Sequence, residues 1–295
     1  MIHPITFSIP ESKIVKTIPN KTKMLSDIIP GTISTYTYNT EEEYYKEYQQ
    51  SYFAITHKKS GWDCMRHYEI MANGCIPVFV NIEKCPPNTM ALFPKHLLLE
   101  GNDLHTKIGG KSVEELTDAD KLEWTELMTK MLNYMKEYLT TAKIGTYIMS
   151  KLNRPIKRLL YLSGNISPDY LRCLTLHGLK SVFSSDCHDY PKIPHIYKSE
   201  NINYGQLYGR GFSYTNLLEQ TMHDNQRDAT IEDDIKNKYY DIVIYGSVHR
   251  GMPYYDLVRN YYNLNDIILL CGEDIHNCNN KEWSDVGHTV FVREL

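Results

Sequence analysis

Between Tyr52 and Asn81 the chain reads YFAITHKKSGWDCMRHYEIMANGCIPVFVN, and four residues in it carry usable chemistry: Lys58, Lys59, Arg66 and Glu69. The two lysines sit in a stretch without apolar periodicity, and Arg66 follows in what reads as the first turn of a helix. Unpaired N–H groups and the macrodipole draw anions to a helix N-terminus. Glu69 lies three residues after Arg66, so both side chains share one helix face. Cations for a phosphate beside a carboxylate that accepts hydroxyls suit a nucleotide with its ribose. A solvated basic loop next to a buried Arg–Glu pair fits the same spacing equally well.

A strand–loop–helix–strand unit must position these groups. Tyr52–Thr56 is an apolar strand, His57–Trp62 the loop, and Asp63 an expected N-cap. Cys64, Met65, Tyr68, Ile70, Met71 and Ala72 give a largely buried helix. Gly74 stands where a C′ glycine closes it, and Cys75–Val80 is a second buried strand.

A second set of polar residues falls at strand ends in the other half of the chain. The expected strands are Arg158–Ser163, Ser181–Ser184, Tyr240–Tyr245 and Asp266–Cys271, followed by Asp186, His249, Arg250, Glu273 and Asp274. Open parallel sheets gather ligand groups beyond the carboxyl ends of their strands. An Asp or Ser in such a place commonly does no more than cap the next helix. A strand-end His-Arg pair gains nothing obvious from packing, which singles out His249. Gly205, Gly209 and Gly211 do not form the dinucleotide fingerprint. Cys271, Asp274, His276 and Cys278 are metal-ligand types, but their spacing matches no paired Cys-x-x-Cys knuckle, so no metal is expected.

Elsewhere, Pro4–Pro10 and Ile33–Tyr38 read as strands. Thr40 and Glu43 form a capping box for a helix over Glu41–Gln50 with Tyr44, Tyr45 and Tyr48 inward. Thr117–Ile144 is the longest helical pattern, with Gly145 as its stop. Ser167 caps a helix that has Pro168 at its first position and runs to Leu176, and Tyr214–His223 reads as another helix. Strands alternating with helices on both sides of Asn153-Arg154-Pro155 imply an α/β protein of two Rossmann-like domains, 1–150 and 151–295, facing a cleft.

Composition narrows the class. The chain has 295 residues, 42% hydrophobic and 23% charged, as soluble globular proteins do. It shows no apolar run of membrane length and no secretory signal, so a cytoplasmic location without a transmembrane segment is expected. A formal net charge of -4 argues against duplex nucleic acid as a partner. The seven cysteines read mostly as buried thiols, Cys64, Cys75, Cys173 and Cys271 among them.

The run GWDCMRHYEIMANGCIPVF resembles the nucleotide-sugar-binding segment of exostosin-like and related glycosyltransferases of the GT-B fold. There a basic residue and a glutamate precede a small-residue turn ending in Gly-x-x-Pro, here Arg66, Glu69, Gly74 and Pro77. The resemblance implies that Glu69 holds the donor ribose and that Arg66 or a nearby lysine (Lys58, Lys59) holds the diphosphate, without a metal or other cofactor. Many GT-B enzymes carry a further glutamate eight positions earlier, where this chain has Gly61. The ending GHTVFVREL resembles the close of an acceptor-side domain, and PITFSIPESKI the first strand of a donor domain, so the halves stand in swapped order.

The implied activity is transfer of a sugar from a nucleotide-sugar donor to a hydroxyl acceptor, a glycan or another molecule. His249, Asp274 and Glu273 are the expected bases if the reaction inverts configuration. An inactive nucleotide- or glycan-binding protein of the same fold is the alternative. A nicotinamide-dependent oxidoreductase has only the strand–helix alternation behind it.

Overall fold

Short runs of three to seven residues, most of them buried, build two parallel sheets. The structure, a computed structural model, describes residues 1–152, 154–274 and 280–295. The strands among them are β1 (Ile2–Pro4), β2 (Lys23–Leu25), β3 (Ser51–His57), β4 (Ile76–Val80), β5 (Leu159–Leu162), β6 (Cys187–Tyr190), β7 (Ile242–Tyr245), β8 (Ile267–Cys271) and β9 (Thr289–Val292). One sheet has six strands in the order β1-β9-β8-β7-β5-β6, and the other three in the order β2-β3-β4. Every pair is parallel.

The helices are α1 (Glu41–Gln50), α2 (Met65–Ala72), α3 (Lys95–Ile108), α4 (Asp118–Tyr134), α5 (Thr141–Ser150), α6 (Tyr170–Phe183), α7 (Ile231–Lys236), α8 (Tyr255–Tyr261) and α9 (Asn280–Asp285). The capping box at Thr40 and Glu43 opens α1, and Tyr44, Tyr45 and Tyr48 are buried, both as the sequence implies. Gly74 takes φ +67 directly after α2, in its expected C′ role. No helix among the described residues is long and apolar enough to cross a membrane.

Read from β5, the larger sheet runs 2-1-3-4-5, a common order for doubly wound sheets, with β1 added beside β9. The order reverses between β5 and β7, and crevices at such points take ligands. The α/β class therefore stands. A boundary at residue 150 does not follow the sheets, because β1 lies in the larger one: Ile2 pairs with Val290 and Pro4 with Val292. The N-terminal strand is thus not the first strand of the smaller sheet. From β1 the buried segment Ile5–Ile9 crosses to the other half, where Ile9 bridges Thr140.

Several local expectations change for identifiable reasons. Ser181–Ser184 is the end of α6 and a following turn, because buried residues continue at helical spacing through Leu179 and Lys180. Asp169, not Ser167, caps α6, its Oδ1 accepting the Arg172 N–H at 3.0 Å. Ile33–Thr35 is a short 3-10 turn with Ile33 exposed. Tyr214–His223 forms no α-helix; Leu218 bridges Tyr197 instead. The helical pattern ending at Ile144 is two helices, α4 and α5, joined through a π turn over Met135–Leu139. Gly145 lies inside α5 and packs against Gly178 of α6, where a Cβ at Gly178 would stand 2.0 Å from the Thr141 carbonyl oxygen.

Candidate active site

The loop between β3 and α2 is held from the far end of the chain. Beyond β9, the Glu294 carboxylate accepts the backbone N–H groups of Trp62 at 3.1 Å and Asp63 at 3.0 Å. The buried Arg293 guanidinium donates to the Asp63 carbonyl oxygen at 2.6 Å, to Glu294 Oε1 at 2.8 Å and to the Gly272 carbonyl oxygen at 3.0 Å, and it also pairs with Asp274. A side chain at Gly61 would collide with this clamp, since its Cβ would fall 2.5 Å from Glu294 Oε1. A glutamate at position 61 would therefore require the Glu294 and Arg293 side chains to move.

Asp63 does not cap α2. Its carboxylate accepts the Phe7 N–H at 2.7 Å and the Tyr68 hydroxyl at 2.9 Å, and Cys64 occupies the cap position without a side-chain bond to the helix N–H groups. Burial raises the Asp63 pKa to about 6 against the pull of Arg293. Burial also pushes the Cys64 thiol up to about 11, so Cys64 is no thiolate nucleophile at neutral pH.

Above this loop lies a cavity of about 710 Å³ walled by both sheets' connections. From the smaller unit it takes Tyr36, Lys59, Arg66 and Glu69, and from the larger one Asp169, Tyr170, His249, Arg250, Glu273 and Asp274. The turn Tyr208–Phe212 forms a further side. Gly209 and Arg210 both have positive φ there, which sends Arg210 to the Asn39 side-chain oxygen at 2.7 Å. The Phe212 ring packs 5.5 Å from that of Tyr44.

Of the four donor-site residues expected from the sequence, Lys59, Arg66 and Glu69 line the cavity. Lys58 does not; its ammonium sits over the Trp62 ring at 5.3 Å. Arg66 donates to Thr56 Oγ1 and the Tyr36 hydroxyl, each at 3.1 Å, and forms no ion pair with a carboxylate among the described residues. Burial works against its charge, but neighbouring Tyr36 and Cys64 more than offset that and its pKa ends raised. A half-buried, always-charged guanidinium without an anion beside it is a standing anion receptor.

Glu69 is not paired with Arg66 either. Its two oxygens accept from Ser213 Oγ at 2.5 Å and the Tyr44 hydroxyl at 2.9 Å. Burial raises its pKa to about 7 against those two hydrogen bonds. Two donors leave part of the carboxylate's acceptor capacity open.

On the other wall, His249 Nε2 stands 3.4 Å from Asp169 Oδ2, and Ser247 Oγ donates to that same oxygen at 2.7 Å. Burial lowers the His249 pKa, with Asp169 opposing, so the imidazole is neutral and able to accept a proton at pH 7. Arg250 Nε lies 3.6 Å from Asp169 as well. Asp274 lines the cavity and is bound to Arg293. Glu273 lines the cavity without that tie. His276 and Cys278 lie outside the described residues.

Asp169 and the Tyr208–Phe212 turn escaped the sequence. Asp169 reads as one more residue of a Ser-Pro-Asp helix start, and only the fold brings it to a histidine 80 positions on. The aromatic-glycine alternation of residues 204–212 was the one available signal for the turn.

No protein-family model matches the chain, and no curated protein or solved structure matches it either.

Proposed function

We propose that the chain is a glycosyltransferase that moves a sugar from a nucleotide-sugar donor to a hydroxyl acceptor in this cavity, its two sheets facing each other in the GT-B manner. The observation that carries the reading is Arg66: a guanidinium on the cavity wall without a carboxylate partner among the described residues, three positions from Glu69. The resemblance of Arg66–Pro77 to nucleotide-sugar-binding segments supports the same reading.

In this reading Arg66 and Lys59 receive the donor diphosphate, and Glu69 accepts a ribose hydroxyl. Tyr36, Tyr38 and Phe212 supply ring faces for the base or sugar. His249 removes the proton from the acceptor hydroxyl as its oxygen bonds to the anomeric carbon. The bond from that carbon to the diphosphate breaks, and the leaving charge falls to Arg66 and Lys59. Asp169 stabilises the imidazolium that forms. Attack opposite the leaving group inverts the anomeric configuration, and no step needs a metal.

A second reading, binding without turnover, draws on Glu69, whose two oxygens already hold Ser213 and Tyr44 in a purely structural manner. A panel of nucleotide sugars screened by thermal shift, followed by assay of nucleoside diphosphate release, separates the two. Stabilisation by one donor, about 2.7 kcal/mol at a hundredfold excess over Kd, together with release supports transfer. Stabilisation without release in the presence of varied hydroxyl acceptors supports the binding module. No stabilisation by any member overturns both.

A further inference from the structure

Three side chains on the rim of the larger sheet meet away from the cavity, and the functional reading above uses none of them. His188 lies on the edge strand β6, and His223 and Asp228 belong to the irregular stretch that packs over it. One ligating atom from each falls within 4.8 Å of the others. Both histidines are buried, and Asp228 keeps 29% of its side chain exposed.

The hydrogen-bond accounting leaves a gap at their centre. His188 Nε2 stands 3.1 Å from Asp228 Oδ1, yet neither atom makes an acceptable hydrogen bond. A buried pair of polar atoms at contact distance with nothing between them is costly. His223 Nε2 faces the other Asp228 oxygen at 3.0 Å.

The opposite nitrogen of His223 is fixed from outside. Nδ1 lies 3.1 Å from Asp189 Oδ1, which also accepts the Tyr197 hydroxyl at 2.7 Å and pairs with the Lys180 ammonium at 2.7 Å. Lys180 itself donates to the carbonyls of Cys187 at 2.8 Å and Met222 at 2.7 Å. With Nδ1–H given to Asp189, Nε2 meets Asp228 either as a second N–H or as a lone pair, and a lone pair facing a carboxylate needs a cation beside both. Carboxylate–histidine–metal chains are built in this way. Bond lengths of about 2.0–2.1 Å around a tetrahedral zinc set neighbouring ligand atoms about 3.3 Å apart; each histidine already has an Asp228 oxygen at 3.0 or 3.1 Å, and the three ligand atoms, within 4.8 Å of one another, need only draw together.

We propose that His188, His223 and Asp228 bind one divalent transition-metal ion of the zinc class, with Asp189 orienting His223 and the fourth position open to solvent beside Asp228. The ion fastens residues 223–228 onto the edge of β6, which stands unpaired on that side. It is separate from the cavity and takes no part in sugar transfer.

Chelator-stripped full-length protein titrated with Co²⁺ tests this directly, since low-coordinate cobalt absorbs in the visible with appreciable intensity. The expected result is one equivalent bound, a rise in melting temperature with Zn²⁺, and loss of both in Asp228→Asn and His188→Gln by at least tenfold in affinity. Asp228 is partly exposed and its amide variant keeps the shape, so it decides the matter if His188→Gln fails to fold. Absence of a stoichiometric spectrum in the wild type, or equal binding in wild type and Asp228→Asn, overturns the proposal. In that outcome a proton on His223 is the cation that the geometry calls for.

Discussion

The Glu294 carboxylate accepts the Asp63 N–H at 3.0 Å across 231 residues of sequence. Its other oxygen takes the Trp62 N–H at 3.1 Å. Through this one side chain, the last turn of the larger unit sets the height of the loop that carries Lys59 and leads into Arg66.

Glu294→Ala should therefore lower stability by about 2–6 kcal/mol, since two buried N–H groups lose their acceptor at about 1–3 kcal/mol each. Urea unfolding measures it. Asp274→Asn should cost far less, because Asp274 is largely exposed where it meets Arg293. A loss under about 1 kcal/mol for Glu294→Ala means the loop holds itself without the clamp.

Glu69 gives the protein a pH dependence near neutrality. Its folded pKa of about 7 lies above the ordinary 4.5, so the folded state holds a proton that the unfolded state has released. Its stabilising contribution is complete below about pH 4.5 and is lost as pH rises to 7, by about 3 kcal/mol at most. Asp63, raised to about 6, adds a loss of the same sign over a lower range. Glu69→Gln should remove the upper part of the decline in unfolding free energy measured between pH 5 and 8. An unchanged slope in that variant would show that Glu69 ionises at its ordinary pH in the folded protein.

His249→Ala should cut turnover at saturating donor about a hundredfold or more while donor affinity is kept. Glu273→Gln and Asp274→Asn should each leave more than a tenth of the activity, Asp274 because Arg293 already occupies it. If the neutral imidazole is the base, as proposed, the wild-type rate should rise with pH through the lowered His249 pKa and then level off. Normal turnover in His249→Ala sinks the inverting mechanism with this base.

Gly178→Ala tests the crossing of α5 and α6. The added Cβ would stand 2.0 Å from the Thr141 carbonyl oxygen, which is backbone and cannot swing aside. The helices must separate, at a cost of about 3 kcal/mol or more. A melting temperature equal to wild type would mean that the two helices slide past each other without loss of packing.

The sequence carried the parts of this fold whose signals are local. The Thr40–Glu43 box, the Gly74 closure and the strands flanking α2 each depend on a few neighbouring residues, and each appears where expected. Parallel pairing is not local, so nothing near Ile2 announces that its partner is Val290. The site divides the same way. Lys59, Arg66 and Glu69 share one short segment and were legible, whereas Asp169 meets His249 only through the order of strands in the sheet. Lys58 and Lys59 are indistinguishable by type, and only the packing of one over Trp62 tells them apart.

The position of β1 also sets an order of events during folding. The Met1 amino group donates to the His288 carbonyl oxygen at 2.8 Å, 287 residues away. Closing a chain of that length costs about 5 kcal/mol of entropy by the logarithmic law, which favours docking of β1 after the strands between have assembled. The β2–β3–β4 half can acquire its structure while the larger sheet is still incomplete. Until β1 arrives, β9 is a bare edge with its N–H and C=O groups unmatched. That transient edge is one place where two chains folding side by side would capture one another.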